Sequence, residues 1–199
     1  MTVFDKAYDL VLGHEGGYVN DPDDPGGETY KGVARNRWPH WSGWKSVDDI
    51  KSAYPREKWN TAMREHPPLQ DNIKDFYRGL FWDVVWGDEL AKLSPALAID
   101  MFDMAVNLGT GRATEFIQRA CNALNNRGTL YPDIAVDGSF GPKTITAVRL
   151  CVSIRKAELL YKVVNILQGN WYLSLMERNP VNEKYIGWFK RVDFMQEQS

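Results

Sequence analysis

Residues 13–33, GHEGGYVNDPDDPGGETYKGV, limit what this chain can fold into more than any other stretch. Pro22, Pro25, Gly26 and Gly27 bar a helix across 19–32, and DPDDPGG reads as consecutive turns. Glu28 to Val33 then suits a short extended piece, one arm of a small hairpin. Nearly everything outside this segment carries helical periodicity. Phe4, Ala7, Tyr8, Val11 and Leu12 recur at i, i+3, i+4, i+7 and i+8, one face of a helix that Gly13 and Gly16-Gly17 end. Glu15 therefore falls at or just past a helix C-terminus. There the negative end of the helix dipole disfavours a carboxylate, and burial would act in the same direction. Both effects suit a proton donor.

Further on, Ser46-x-x-Asp49 has the form of a capping box, so a helix is expected from near Val47. Pro55 opens another helical piece that stops before Pro67-Pro68. Residues 69–86 read as a helix with Ile73, Phe76, Tyr77, Leu80 and Phe81 on one face. Ser94 with Pro95 is an N-cap followed by the favoured first-turn proline, for a helix to about Asn107. Gly109 and Gly111 interrupt it, and a second helix covers roughly 112–125. Residues 126–141 are loop. Pro142 starts a long helix to about Gln168, which Gly169 ends. Short helical pieces follow at 170–178 and after Pro180. The expected fold is mainly α, lysozyme-like, with a small loop and hairpin region after the first helix. A soft boundary near 87–94 divides it into lobes 1–90 and 91–199, expected to pack together as one compact unit.

Charge excludes some function classes. The net charge is −2, from 24 Lys/Arg and 26 Asp/Glu. Residues 1–90 hold 11 basic against 16 acidic residues, and residues 91–199 hold 13 against 10. There is no basic stripe of the kind a nucleic-acid binder presents. No run approaches the roughly 20 apolar residues that span a bilayer, so membrane insertion is not expected. The N-terminal residues lack a charged segment followed by an apolar one, so cytoplasmic synthesis without a signal peptide is expected. A target outside the cell then requires separate delivery. Cys121 and Cys151 allow one disulfide at most, or two buried thiols.

A glycosidase needs one acid to protonate the leaving oxygen. It needs a second carboxylate to activate water or to stabilise positive charge on the sugar ring. Glu15 is the candidate acid, and Asp21, Asp23 and Asp24 are candidates for the second group. Thr29 can set a hydroxyl near the attacking water. The same residues also fit plain Asx turns beside a surface glutamate. Metal chemistry fits poorly. An EF-hand loop started at Asp21 puts Pro25 at position 5 and Gly32 at position 12, and His14-Glu15 is followed by Tyr18 where HExxH needs histidine. His14, His40 and His66 are too dispersed for a zinc set, and no cofactor is needed for protonation and water attack. Eight Trp favour a sugar ligand slightly. Trp38, Trp41 and Trp44 are either a lobe-stabilising cluster or a sugar-stacking wall.

HEGGYVNDPDDPGGETYKGVA resembles the signature of the glycoside hydrolase family 108 muramidases. These are phage and prophage endolysins with an EGGY motif, also described in bacteria as secretion-activator proteins. The resemblance places the family's essential glutamate on Glu15, ahead of Gly16-Gly17-Tyr18. Thr29-Tyr30-Lys31-Gly32 follows the family's pattern, with Val33 where Ile is usual. FYRGLFWD at 76–83 is similar to its Tyr-Arg-x-x-x-Trp-Asp segment. The spacing of Glu15, Asp24 and Thr29 also resembles that of phage lysozymes, which favours Asp24 over Asp21 and Asp23 and implies an inverting mechanism. Residues 97–178 resemble the predicted peptidoglycan domain found C-terminal to this catalytic module, through DMAVNLGTGRATEFIQRA and VDGSFGPKT.

The resemblance implies hydrolysis of the β-1,4 bond between N-acetylmuramic acid and N-acetylglucosamine in a peptidoglycan glycan strand. Glu15 is the implied general acid, with Asp24 and Thr29 handling water. Tyr18, Trp38, Trp41, Tyr77, Trp82 and Asn107 are the candidate cleft residues. A separate pore-forming protein is the expected delivery partner, and the alternative is a non-catalytic wall-binding or secretion-assisting protein on the same scaffold.

Overall fold

A computed structural model describes residues 1–12, 16–21 and 25–192. The fold is mainly helical with one small antiparallel sheet, as the lysozyme-like expectation requires. The chain divides into two compact units, Met1–Leu80 and Phe81–Ser199.

In the first unit, α1 (Val3–Leu12) buries Phe4, Ala7 and Leu12, the face expected from periodicity. Thr2 and Asp5 cap it reciprocally: Asp5 N–H donates to Thr2 Oγ1 at 3.1 Å and Thr2 N–H to Asp5 Oδ2 at 2.6 Å. Asp5 also pairs with Lys74, which ties α1 to α4 (Pro67–Tyr77). The strands β1 (Tyr18–Asn20), β2 (Glu28–Tyr30) and β3 (Val33–Ala34) form a meander in the order β1-β2-β3. Tyr18 pairs with Tyr30, and Tyr30 with Val33. These three side chains are buried while Val19 is exposed, so the period of two gives the sheet a core face and an open face. Helices α2 (Gly43–Ala53), α3 (Trp59–Arg64) and α4 complete the unit around Trp44, Val47, Ile50, Met63, Leu69 and Ile73. His66 caps α4, its Nδ1 accepting from Leu69 N–H at 3.2 Å.

Two helix boundaries differ from expectation here. The helix expected from Val47 starts at Gly43, so Ser46 lies inside it. The cause is aromatic packing. Trp41 and Trp44 meet edge-on at 5.1 Å, and a Cβ on Gly43 would sit 2.2 Å from the Trp41 ring. The helix expected over 69–86 is α-helical only to Tyr77, then continues as a π-helical turn, Arg78–Trp82.

The second unit contains α5 (Gly87–Leu93), α6 (Pro95–Leu108), α7 (Thr110–Leu124), α8 (Pro142–Arg155) and α9 (Ala157–Arg178), followed by a kinked 3-10 segment, Pro180–Arg191. Ser94 caps α6 as expected, its Oγ accepting from Leu97 N–H at 3.3 Å. Gly109, at φ 87°, separates α6 from α7, whereas Gly111 lies within α7. The single long helix expected after Pro142 is two helices. Lys156 breaks it at φ 68° and ψ 157°, and Gly169 lies inside α9. Cys121 and Cys151 are free, buried thiols.

Candidate functional site

The sheet of the first unit carries the candidate residues Tyr18 and Thr29, and its anchoring is built from long-range contacts. Glu28, with a side chain only 12% exposed, is the centre. It accepts from Tyr18 Oη at 2.6 Å and from Lys51 Nζ at 2.5 Å. Arg35 Nε lies 2.6 Å from its other oxygen as an ion pair, although the N–H is not aligned as a hydrogen bond. The Arg35 guanidinium forks onto Asp48 at 2.7 and 3.1 Å and lies 4.3 Å over the Trp44 ring. Two cations and a phenol thus surround one carboxylate. Burial, followed by the bond to Glu28, holds the Tyr18 phenol above its ordinary pKa. Burial opposes the charge on Lys51, but Glu28 and Tyr18 together outweigh it and the ammonium is held above its usual value.

The approach to β1 is equally constrained. Tyr18 N–H donates to Asn60 Oδ1 at 2.6 Å, and a Cβ on Gly17 would lie 2.2 Å from that oxygen. Gly17 is required for space, since its φ is not in the left-handed region. The β2–β3 turn is held from α4. Tyr77 Oη donates to Lys31 carbonyl oxygen at 2.9 Å, and a Cβ on Gly32 would come within 2.5 Å of that hydroxyl. Gln70 donates to Tyr30 Oη at 2.9 Å and accepts from Lys31 Nζ at 3.0 Å.

Glu15 and Asp24, the candidate acid and second carboxylate, lie outside the described residues, as does Asp23. Their flanks do not: Glu15 precedes the pinned Gly17-Tyr18, and Asp24 belongs to the segment joining β1 to β2, whose ends pair as Asn20 with Glu28. Thr29 stands in the middle of β2 between Val19 and Ala34, on the face opposite Tyr18 and Tyr30. Its Oγ1 donates to Gly27 carbonyl oxygen at 3.1 Å.

The aromatic candidates separate by burial. Tyr18 and Tyr77 are 8% and 5% exposed with their hydroxyls committed to the sheet, so both act as clamps. Trp41 and Trp44 pack together, and Trp41 Nε1 donates to Asn72 carbonyl oxygen at 3.3 Å. Trp38 stands edge-on to Phe76 at 5.2 Å and keeps 37% of its surface exposed. Trp38, His40, Trp41 and Phe76 border a recess of about 330 Å³. Trp41 and Trp44 are thus packed within the cluster, and Trp38 is its exposed ring.

Trp82 belongs to the second unit and is wholly buried. Its ring meets Phe102 at 5.9 Å, its Nε1 donates to Asp88 at 3.0 Å, and Gly87 leaves it room. It offers a glycan no surface. Asn107 is exposed on α6, where its amide donates to Asp103 one helical turn back. Arg191 pairs with Asp103 at 2.6 Å, yet burial dominates and raises the Asp103 pKa.

Glu28, Lys51, Asn60 and Gln70 are the supporting residues that spacing alone did not mark. Among the described residues, no group of three or more His, Cys, Asp or Glu is placed to hold a metal ion, and no helix is long and apolar enough to cross a membrane. The arrangement supplies a clamped sheet whose central strand carries the Thr29 hydroxyl on its open face.

Residues 8–109 match the family model described as Glycosyl hydrolase 108, and residues 112–193 match one described as Predicted Peptidoglycan domain. None of the curated proteins matches the chain. Among solved structures, Brucella abortus SagA is similar at 22% identity, with a TM-score of 0.53 over 98% of this chain and 97% of that one. At that identity the likeness speaks to the fold.

Proposed function

Because the chain belongs to the glycosyl hydrolase 108 family, we propose that it cleaves the β-1,4 bond between N-acetylmuramic acid and N-acetylglucosamine in peptidoglycan. The observation that carries this reading is the span of the family match, residues 8–109, which takes in Glu15, Asp24 and the whole clamped sheet. Glu15 protonates the glycosidic oxygen as the bond to the anomeric carbon breaks. Asp24 accepts a proton from a water attacking the opposite face of the ring, and the Thr29 hydroxyl orients that water, giving inversion. The open-face position of Thr29 on β2 supports this role. The peptidoglycan domain at 112–193 supports the polymer as substrate. Acting as an endolysin, the protein reaches the wall through a separate pore-forming protein.

The test is release of reducing ends from purified peptidoglycan by wild type and by Glu15→Gln. Loss of a general acid slows such reactions by about 10²–10⁴-fold, so the variant is expected to be nearly silent. Equal rates from both would remove Glu15 from its role. A wild type that binds the wall but releases nothing across a range of pH would turn the reading to a wall-binding protein. Mass and NMR analysis of the products reports the bond cut and the anomer formed.

A further inference from the structure

The loop between α7 and α8, residues 126–141, is longer than the roughly 12–15 residues at which connections without secondary structure become uncommon and are usually functional. It is held in one shape by the amide side chains of Gln118 and Asn122 on α7 and of Asn125, which ends that helix. Asn122 makes a two-way pair with the backbone of Ile134, donating to its carbonyl at 2.8 Å and accepting from its N–H at 3.0 Å. Gln118 accepts from the N–H groups of Asp137 and Gly138 and donates to Ser139 carbonyl oxygen. Asn125 donates to Asp133 and accepts from Gly128 N–H. Residues 118, 122 and 125 fall on one helical stripe. The loop and the start of α8 together enclose a groove of about 580 Å³, within the range of small-ligand sites.

The lining of this groove selects its occupant. Its walls are aliphatic, from Pro132, Ile134, Ala135, Pro142 and Leu150. The one aromatic ring, Tyr131, is 4% exposed and donates its hydroxyl to Cys121 carbonyl oxygen, so it offers no stacking platform to a sugar. Charge is present in both signs. Lys143 is exposed and forms no salt bridge with a described residue, although, after the Ser139 and Gln118 hydrogen bonds, its charge helps hold the Asp137 carboxyl below its usual pKa, and the carboxylates of Asp133 and Asp137 also border the groove. Small apolar walls with a cation and carboxylates suit a short zwitterionic peptide and suit a neutral glycan poorly. We propose that this groove binds the stem peptide of peptidoglycan, alanine methyls against the aliphatic walls, a free carboxylate on Lys143 and an amino group near Asp133. The proposal rests on the peptidoglycan reading above and gives the second unit a task distinct from glycan cleavage.

Titration of the isotope-labelled full chain with a sugar-free stem tetrapeptide, and separately with an N-acetylglucosamine tetramer, tests it. Saturable shifts at 131–150 are expected with the peptide and not with the sugar. Lys143→Glu reverses the cation and is expected to weaken the peptide about tenfold or more, the size of one charge-assisted contact. Thr146→Trp, at an exposed position on the groove, fills it and is expected to abolish binding. Far-ultraviolet dichroism establishes that each variant is folded. No saturable peptide binding, shifts that map elsewhere, or equal affinity in wild type and both variants would overturn the proposal. Reducing-end release by the wild type decides the hydrolase reading separately, since the peptide titration requires no bond cleavage.

Discussion

Gly17→Ala tests whether the entry to the sheet is set by space. The new Cβ would lie 2.2 Å from Asn60 Oδ1 and 2.9 Å from its Cγ, well inside van der Waals contact. Asn60 must swing away, and its 2.6 Å bond from Tyr18 N–H is lost. A part-buried donor left without its acceptor costs about 1–3 kcal/mol. Replacing glycine by alanine also narrows the unfolded ensemble, which returns about 0.4–1 kcal/mol. A net loss of about 1–2 kcal/mol is expected, read as a lower urea midpoint at unchanged slope.

The decisive arm is the same substitution in an Asn60→Ala background. There the obstructing oxygen and the hydrogen bond are both gone, so only the unfolded-state gain remains. Gly17→Ala is then expected to be neutral or stabilising, a reversal of sign that a double-mutant cycle reports as coupling. Equal destabilisation in both backgrounds would refute the steric reasoning and point to a backbone requirement at Gly17. Reducing-end release should fall with stability intact at the assay temperature, because Glu15 is two residues away and small misplacements of a reacting group cost up to about 10²-fold.

Three further outcomes are expected. Glu28→Gln leaves Lys51 and Arg35 without their shared carboxylate and should cost about 1–3 kcal/mol. In that variant the Tyr18 phenol, followed by ultraviolet titration, should ionise at lower pH than in wild type, since the second cause of its raised pKa is removed while burial persists. An unmoved Tyr18 titration would contradict the network. Lys156→Gly should stabilise the second unit by about 1 kcal/mol in urea unfolding, because φ 68° with ψ 157° is a conformation only glycine adopts without strain. Cys121 and Cys151 should resist a thiol reagent in the native protein and both react once it is unfolded, and rapid native labelling would disprove their burial.

What the sequence made legible follows the range of the forces involved. Local signals were reliable: the apolar face of α1, the Ser94-Pro95 start of α6 and the stop at Gly109 each act within a turn or two. The capping signature at Ser46 lost to the packing of Trp41 over Gly43, a contact whose strength depends on rings brought together by the tertiary fold. Lys156 was invisible as a break because neither glycine nor proline marks it. The aromatic candidates show the same divide. Tyr18 and Tyr77 stand in a functional signature, yet their hydroxyls reach partners 10 and 46 residues away, and no spacing rule encodes that they are clamps. Motif resemblance singles out Glu15 and Asp24, while Asn60 and Gln70, which hold the sheet, carry no local pattern at all.

The amides of Gln118, Asn122 and Asn125, on α7 and at its end, grip the following loop mostly through its main chain: the N–H groups of Gly128, Ile134, Asp137 and Gly138 and the carbonyls of Ile134 and Ser139. Asp133 and Asp137 are the loop side chains that share in it. The identities of Pro132, Ile134, Ala135 and Val136 are therefore almost decoupled from the loop's shape. Substitutions there can re-line the groove while its framework stays in place. Related chains are free to diversify what this surface recognises without renegotiating how it folds, provided Gln118, Asn122 and Asn125 are kept.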